Sequence, residues 1–165
     1  MGFAGIAFVY SGWLDVAASS PHNALERWVL NTTMKRSVIT NARSVGDPPT
    51  FTDEMVKDGF ERYDEMCTVC HSGPGIDQSE ISEGLNPPAP NLSDVAKDWS
   101  ARELFWIVKH GVKMTAMPSF GATHTDEEVW NIVAFIEKLA GMSVEQYQRL
   151  KQETPAGSHE PMMQH

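Results

Sequence analysis

Cys67-Thr68-Val69-Cys70-His71 holds both cysteines of a 165-residue chain, and its spacing decides how the rest is read. C-x-x-C-H is the attachment pattern of a c-type haem. Two thiols three residues apart at a helix end reach the two vinyl groups on one porphyrin edge. The adjacent histidine is then carried beneath the iron, where an imidazole nitrogen ligates it. Three other chemistries compete for the motif. A thioredoxin-like redox pair belongs beside a βαβ pattern, and no alternating apolar run here suggests a strand. Zinc needs four ligands, no cysteine remains, and His110 and His124 are too far apart for an H-x₃₋₅-H pair. A structural disulfide leaves His71 without a role.

Outward from the motif the sequence reads as three helices joined by loops, an all-α domain. The first is expected from about Phe51 to Cys67, with Thr52 as N-cap, Asp53 and Glu54 in the first turn, and Val56, Phe60 and Tyr63 on one apolar face. The second is expected from about Ala101 to His110: Ser100 and Glu103 form a capping box, Trp99 and Leu104 a hydrophobic staple, and Gly111 stands at the C-cap. The third starts after Thr125, whose capping partner is Glu128, and carries the stripe Val129, Ile132, Val133, Ile136 and Leu139. Two long loops remain, Ser72–Asp98 and Val112–His124. Loops of that length in so small a domain need something to pack against.

Composition bounds the function. Thirteen Lys+Arg against 22 Asp+Glu give a net charge of −9, which excludes a nucleic-acid binder, since counterion release from phosphates needs a basic face. The charge is uneven: residues 1–50 sum to +1, residues 51–141 to −9 and the remainder to −1. Gly2–Leu14 is an apolar stretch that reaches only about 20 Å as a helix, short of a bilayer core of about 30 Å. No basic residue precedes it, whereas Val16-Ala17-Ala18 has the small-residue look of a cleavage site. Residues 1–18 are therefore expected to be the remnant of an export signal or membrane anchor, the alternative being an apolar helix packed on the protein. Residues 19–50 are expected to be an amphipathic connecting helix (24–43, with Leu25, Trp28, Val29, Val38 and Ile39 as its stripe) and a linker ending at Gly46-Asp47-Pro48-Pro49. The main domain takes 51–145. A polar tail takes 146–165, disordered from about Gln152. Its His159-Glu160-Pro161-Met162-Met163-Gln164-His165 mixes imidazole and thioether donors suited to copper, and a metal-free tail is the competing reading.

From about Phe51 to Met142 the chain resembles the class I cytochromes c. Gly59 and Tyr63 lie eight and four residues before the first cysteine, as glycine and an aromatic do in that family. More narrowly, Leu85-Asn86-Pro87-Pro88-Ala89-Pro90-Asn91-Leu92, Phe105-Trp106-Ile107-Val108-Lys109-His110-Gly111 and Met117-Pro118-Ser119-Phe120-Gly121 resemble a group of proteobacterial monohaem cytochromes. Tyr10-Ser11-Gly12 and Val16-Ala17-Ala18 followed by Pro21-His22 do so too, and members of that group are exported and often anchored at the N-terminus. The absent basic start of an export signal is a departure from that pattern.

The resemblance implies a cytochrome c fold, three main helices around one covalently bound haem, here with an extra N-terminal helix. It implies that Gly59 lets the first and third helices cross closely, with Ile132 and Phe135 opposite. It implies a sixth iron ligand in the loop between the second and third helices, where Met117 precedes a proline; Met114 is its competitor, and His110 and His124 are lesser ones. It further implies that a proline carbonyl after the motif accepts the other ring N–H of His71, for which Pro74 fits. Trp99, Trp106 and Arg102 are candidates to line the haem or reach its propionates, with core packing the alternative for the tryptophans. The expected function is one-electron transfer between redox proteins on the periplasmic side of a bacterial inner membrane, with no catalytic residue and with partners that present a basic docking patch. A haem enzyme or gas sensor with a displaceable methionine, a copper-handling protein and a bound subunit of a larger oxidoreductase are the alternatives.

Overall fold

The computed structural model describes residues 2–13 and 15–154. Nine α-helices are found there, and no strand forms among the described residues. In chain order they are α1 (Gly2–Tyr10), α2 (Ala24–Asn41), α3 (Asp53–Arg62), α4 (Thr68–His71), α5 (Glu80–Glu83), α6 (Leu92–Val95), α7 (Ala101–His110), α8 (Asp126–Leu139) and α9 (Val144–Glu153).

The three expected helices are α3, α7 and α8, and their caps are the expected ones. Thr52 Oγ1 accepts from the Met55 N–H at 3.2 Å, and capping boxes join Ser100 to Glu103 and Thr125 to Glu128. Each cap satisfies backbone groups that a helix end leaves without partners, so these starts are written in the local sequence. The core gathers from all three helices: Phe60 and Tyr63, Leu104, Phe105 and Val108, and the whole stripe of α8 are buried. Phe60 meets Phe135 edge to face at 5.3 Å, and Phe105 stacks on Trp130 at 4.2 Å.

The tightest joint is the crossing of α3 and α8. A Cβ on Gly59 would come within 1.8 Å of the Asn131 carbonyl oxygen and 3.0 Å of Phe135 Cβ, so only glycine allows the approach. Phe135 is opposite as expected. The nearest atoms, however, are backbone of Asn131, one residue before Ile132, because the helices meet main chain to main chain.

Three differences from the sequence reading are instructive. The long loop 72–98 is punctuated by α5 and α6, each started by a side-chain cap from Ser79 or Asn91. The connecting helix forms, capped by Asn23 and Glu26, yet of its expected stripe only Val38 is buried; Ala42, just beyond its end, is buried with it. Leu25 and Trp28 remain 68% and 65% exposed, because α2 meets α7 through its C-terminal end while its first turns extend past the domain. Arg102 pairs with Asp47, and Asn86 Nδ2 donates to the Ser20 carbonyl at 2.7 Å, fastening the linker and residue 20 to the domain.

The third difference corrects the tail. Residues 144–153 form α9 behind a Ser143/Gln146 capping box, and Tyr147 is fully buried against Phe60 and Phe135. A few apolar anchors on a polar helix suffice where a core surface awaits them, which is why composition alone misreads the segment. The His/Met segment 159–165 lies outside the described residues.

Candidate functional site

The C-x-x-C-H motif sits where α3 stops being regular. After Arg62 the backbone widens into a five-residue π turn, Tyr63–Cys67, with the Thr68 N–H reaching back to the Tyr63 carbonyl, before α4 takes over. Such a bulge turns the following side chains relative to the helix that carries them, and it recurs at functional sites. Here it leaves the two thiols in different surroundings. Cys67 is buried in the core, and burial pushes its thiol up to about 12; Cys70 is half-buried nearer the surface. Both are free thiols.

Every carbonyl at the end of so short a helix needs a partner, and the structure supplies them from elsewhere. Ser79 Oγ donates to the Val69 carbonyl at 2.5 Å and Ser82 Oγ to the Cys70 carbonyl at 2.8 Å, so α5 is fastened directly onto the motif. Tyr63 Oη donates to the Ser72 carbonyl at 2.8 Å. Ser72 itself lies at φ 55°, a left-handed conformation that a residue with a Cβ holds only when its surroundings enforce it.

His71 Nδ1 lies 2.8 Å from the carbonyl oxygen of Pro90, not of Pro74. The chain turns sharply after Ser72, closing with the Ile76 N–H on the Gly73 carbonyl, and this carries Pro74 into the turn. The run Pro87-Pro88-Ala89-Pro90 then returns past the histidine with the Pro90 carbonyl presented. Proline supplies no N–H of its own, so such a run is a natural place for a free acceptor. Burial lowers the His71 pKa, against the bond to Pro90, which raises it, so the ring is held in the neutral form that ligates metal. With Nδ1–H given to a carbonyl, Nε2 is the nitrogen left for an iron.

The loop after α7 presents the two candidate methionines in opposite ways. Met114 is 89% exposed at φ 63°, whereas Met117 is partly buried and packs on the same apolar cluster that contains Cys67. Met117 is also held by its backbone: its N–H donates to Thr115 Oγ1 at 3.1 Å and its carbonyl accepts from the Val112 N–H at 3.2 Å. Gly111, at φ 65°, lets the loop close, since a Cβ there would strike the Pro118 carbonyl at 2.6 Å. Ser119 Oγ then donates to the Lys109 carbonyl at 2.8 Å. Thr115, Gly111 and Ser119 thus hold the Met117-Pro118 step against the end of α7.

The lesser candidates are accounted for otherwise. His110 is exposed beside the Trp106 ring at 5.1 Å, and His124 Nδ1 lies 2.9 Å from Thr123 Oγ1. Arg102 is engaged by Asp47, and Trp99 packs on the core. Among the described residues no three His, Cys, Asp or Glu side chains gather at one point, so the zinc reading of the motif finds no ligand set. The residues present do fit a haem c: two free thiols at the required spacing, a neutral imidazole with one nitrogen committed, and a thioether in a braced loop.

Sequence reasoning missed four contributors. Pro90 could have been sought in the proline run. Ser79 and Ser82 could have been found through the N-cap signal ahead of Glu80, and Tyr147 through the S-x-x-Q box at Ser143. Residues 54–136, from α3 into α8 and half of the chain, match the family model described as cytochrome C oxidase, cbb3-type, subunit III. No curated protein matches the chain significantly.

Proposed function

The chain belongs to the cytochrome C oxidase, cbb3-type, subunit III family of cytochrome c domains, and from that premise we propose that it carries single electrons through one haem c ligated by His71 and Met117. The observation that carries the reading is the pairing of His71 Nδ1 with the Pro90 carbonyl beside two free cysteines, because it orients Nε2 as a ligand and has no other evident use.

Bound there, haem c supplies a one-electron ferric/ferrous couple. The chain's residues do the rest. Cys67 and Cys70 would hold the group through thioethers, each S–H adding across one vinyl C=C with no leaving group. His71 Nε2 would ligate the iron, and the hydrogen bond to Pro90 fixes the ring and makes it a stronger donor. Met117 gives a neutral, soft sulfur that favours the ferrous state. With His71 and Met117 both given to the iron, no residue would be called on as acid, base or nucleophile.

The acidic surface is concentrated where electrons would leave. From Tyr63 to Ala96 the sequence has six carboxylates and neither Lys nor Arg. Val69, between the two cysteines, and Ile81, on α5, are 40% and 60% exposed, with Glu65, Asp77, Glu80 and Glu83 exposed around the same segments. An apolar centre with an acidic rim suits a redox protein that carries a basic rim. The setting we propose is the periplasmic side of a bacterial inner membrane, with the N-terminal segment as the contact; none of the described helices is long and apolar enough to cross one. The family's name supports a second reading within electron transfer, that of a bound subunit of a larger oxidoreductase, for which α1 and the exposed turns of α2 offer an attachment.

The test is an absorption spectrum of the ferric protein, followed by reduction and addition of carbon monoxide. A weak red charge-transfer band from sulfur ligation and no response to carbon monoxide are expected. A missing band with ready carbon monoxide binding would replace the carrier with a haem enzyme or gas sensor.

A further inference from the structure

Helix α9 lies beyond the family-matched residues 54–136, yet it packs against the turn that follows His71. Tyr147 is fully buried, and its ring fills the space under Gly73: a Cβ there would come within 2.9 Å of Tyr147 Cζ. Val144, one turn earlier, does the same under Gly75, where a Cβ would lie 2.6 Å from Val144 Cγ1. Two polar contacts lock the helix in register with the π turn: Tyr147 Oη donates to Asp64 Oδ1 at 3.1 Å, and Lys151 Nζ lies 3.0 Å from the same oxygen. On the other side of the turn Tyr63 Oη holds the Ser72 carbonyl, and Ser72 keeps its left-handed backbone. The segment leaving His71 is therefore clamped between an aromatic on α3's extension and one on α9.

We infer that Tyr147 is a positioning residue for His71: by wedging the 72–76 turn it fixes the backbone of His71 and hence the orientation of the imidazole that would ligate the iron. This rests on the proposal that His71 is a ligand. Gly73 explains itself on this reading, since it is the space that the Tyr147 ring occupies, while Gly75 also lies at φ 75°, which favours glycine by itself.

The experiment compares the paramagnetically shifted His71 resonances and the reduction potential of the ferric holoprotein in Tyr147→Ala, Tyr147→Phe and Leu150→Ala. Leu150 packs on the core from the same helix. Tyr147→Ala should shift both the resonances and the potential, Tyr147→Phe should restore them because the ring remains, and Leu150→Ala should lower stability without moving either. Should Tyr147→Ala fail to fold, Gly73→Ala, which displaces the ring from the opposite side, should give the same shift. If Tyr147→Ala, or Gly73→Ala in its place, leaves resonances and potential at wild-type values, the positioning role is overturned and α9 is a packing element. If the wild-type protein shows no shifted His71 resonances, it is the ligand assignment that fails.

Discussion

His71 Nδ1 and the Pro90 carbonyl oxygen stand 2.8 Å apart across nineteen residues of sequence. That contact answers what the long loop after the motif packs against: it leaves the histidine, is fastened to Val69 and Cys70 by Ser79 and Ser82, and comes back to orient the ring it left. A histidine whose second nitrogen is fixed by backbone cannot rotate without breaking that hydrogen bond, at a cost of about 0.5–1.5 kcal/mol.

Met117→Ala should convert the haem to high-spin or solvent-ligated iron and lower its potential, whereas Met114→Ala should do neither. The contrast follows from burial, since Met114 projects into solvent and Met117 packs on the core. Spectra and potentiometry of the two variants decide it, and an exchange of behaviour would transfer the ligand role to Met114.

Gly59→Ala should be the most damaging single-methyl change in the domain. Its Cβ would sit 1.8 Å from the Asn131 carbonyl oxygen, so the α3–α8 crossing must open. Overpacking of this kind costs about 3 kcal/mol or more when backbone rather than a side chain must give way. Chemical denaturation of the holoprotein measures it; a loss below 1 kcal/mol, on the order of a surface substitution, would show that the crossing yields to a methyl group.

What was legible in the sequence was local. Caps at Thr52, Ser100 and Thr125 and the stripe of α8 announce their helices within a few residues, and the C-x-x-C-H spacing announces its chemistry within five. What escaped was any relationship whose two ends meet only in space. Pro74 is nearer in sequence than Pro90, but the left-handed Ser72 sends the chain elsewhere first. Tyr147 looks like a lone aromatic in a polar helix until Gly73 and Asp64 are found beside it. Leu25 and Trp28 form an apolar stripe on paper, and nothing in their spacing tells that the domain ends before reaching them.

Glu80→Lys with Glu83→Lys should slow electron transfer to a lysine-rimmed redox protein by about 10-fold at low ionic strength, and the difference should fade as salt is raised past physiological strength, where the Debye length is about 8 Å. Glu137→Lys with Glu153→Lys imposes the same change of net charge on the groove between α3, α8 and α9. That control should have a much smaller effect. Equal slowing by both pairs in stopped-flow measurements would assign the effect to net charge and remove the docking role from the α5 face.

The start of α8 carries a pH dependence whose sign can be worked out. Burial pushes Glu128 upward, but the Thr125 N–H at 2.7 Å, the Thr125 hydroxyl at 3.0 Å and Arg62 Nη2 at 2.7 Å outweigh it, and the carboxyl is held below its ordinary value. A carboxylate depressed in the folded state binds its proton less readily there than in the unfolded chain. Its contribution is therefore complete above the unfolded pKa and is lost as pH falls through the folded one. Glu128→Gln keeps an acceptor for the capping box and removes only the charge. It should cost about 1 kcal/mol at neutral pH, the pair being part-exposed and so discounted for screening. The gap between wild type and variant should narrow as the pH drops below the usual glutamate range, and vanish once the folded-state carboxyl is protonated. A gap that stays constant with pH in denaturant titrations would mean that the Arg62 pairing contributes nothing and that the cap alone sets the start of the helix.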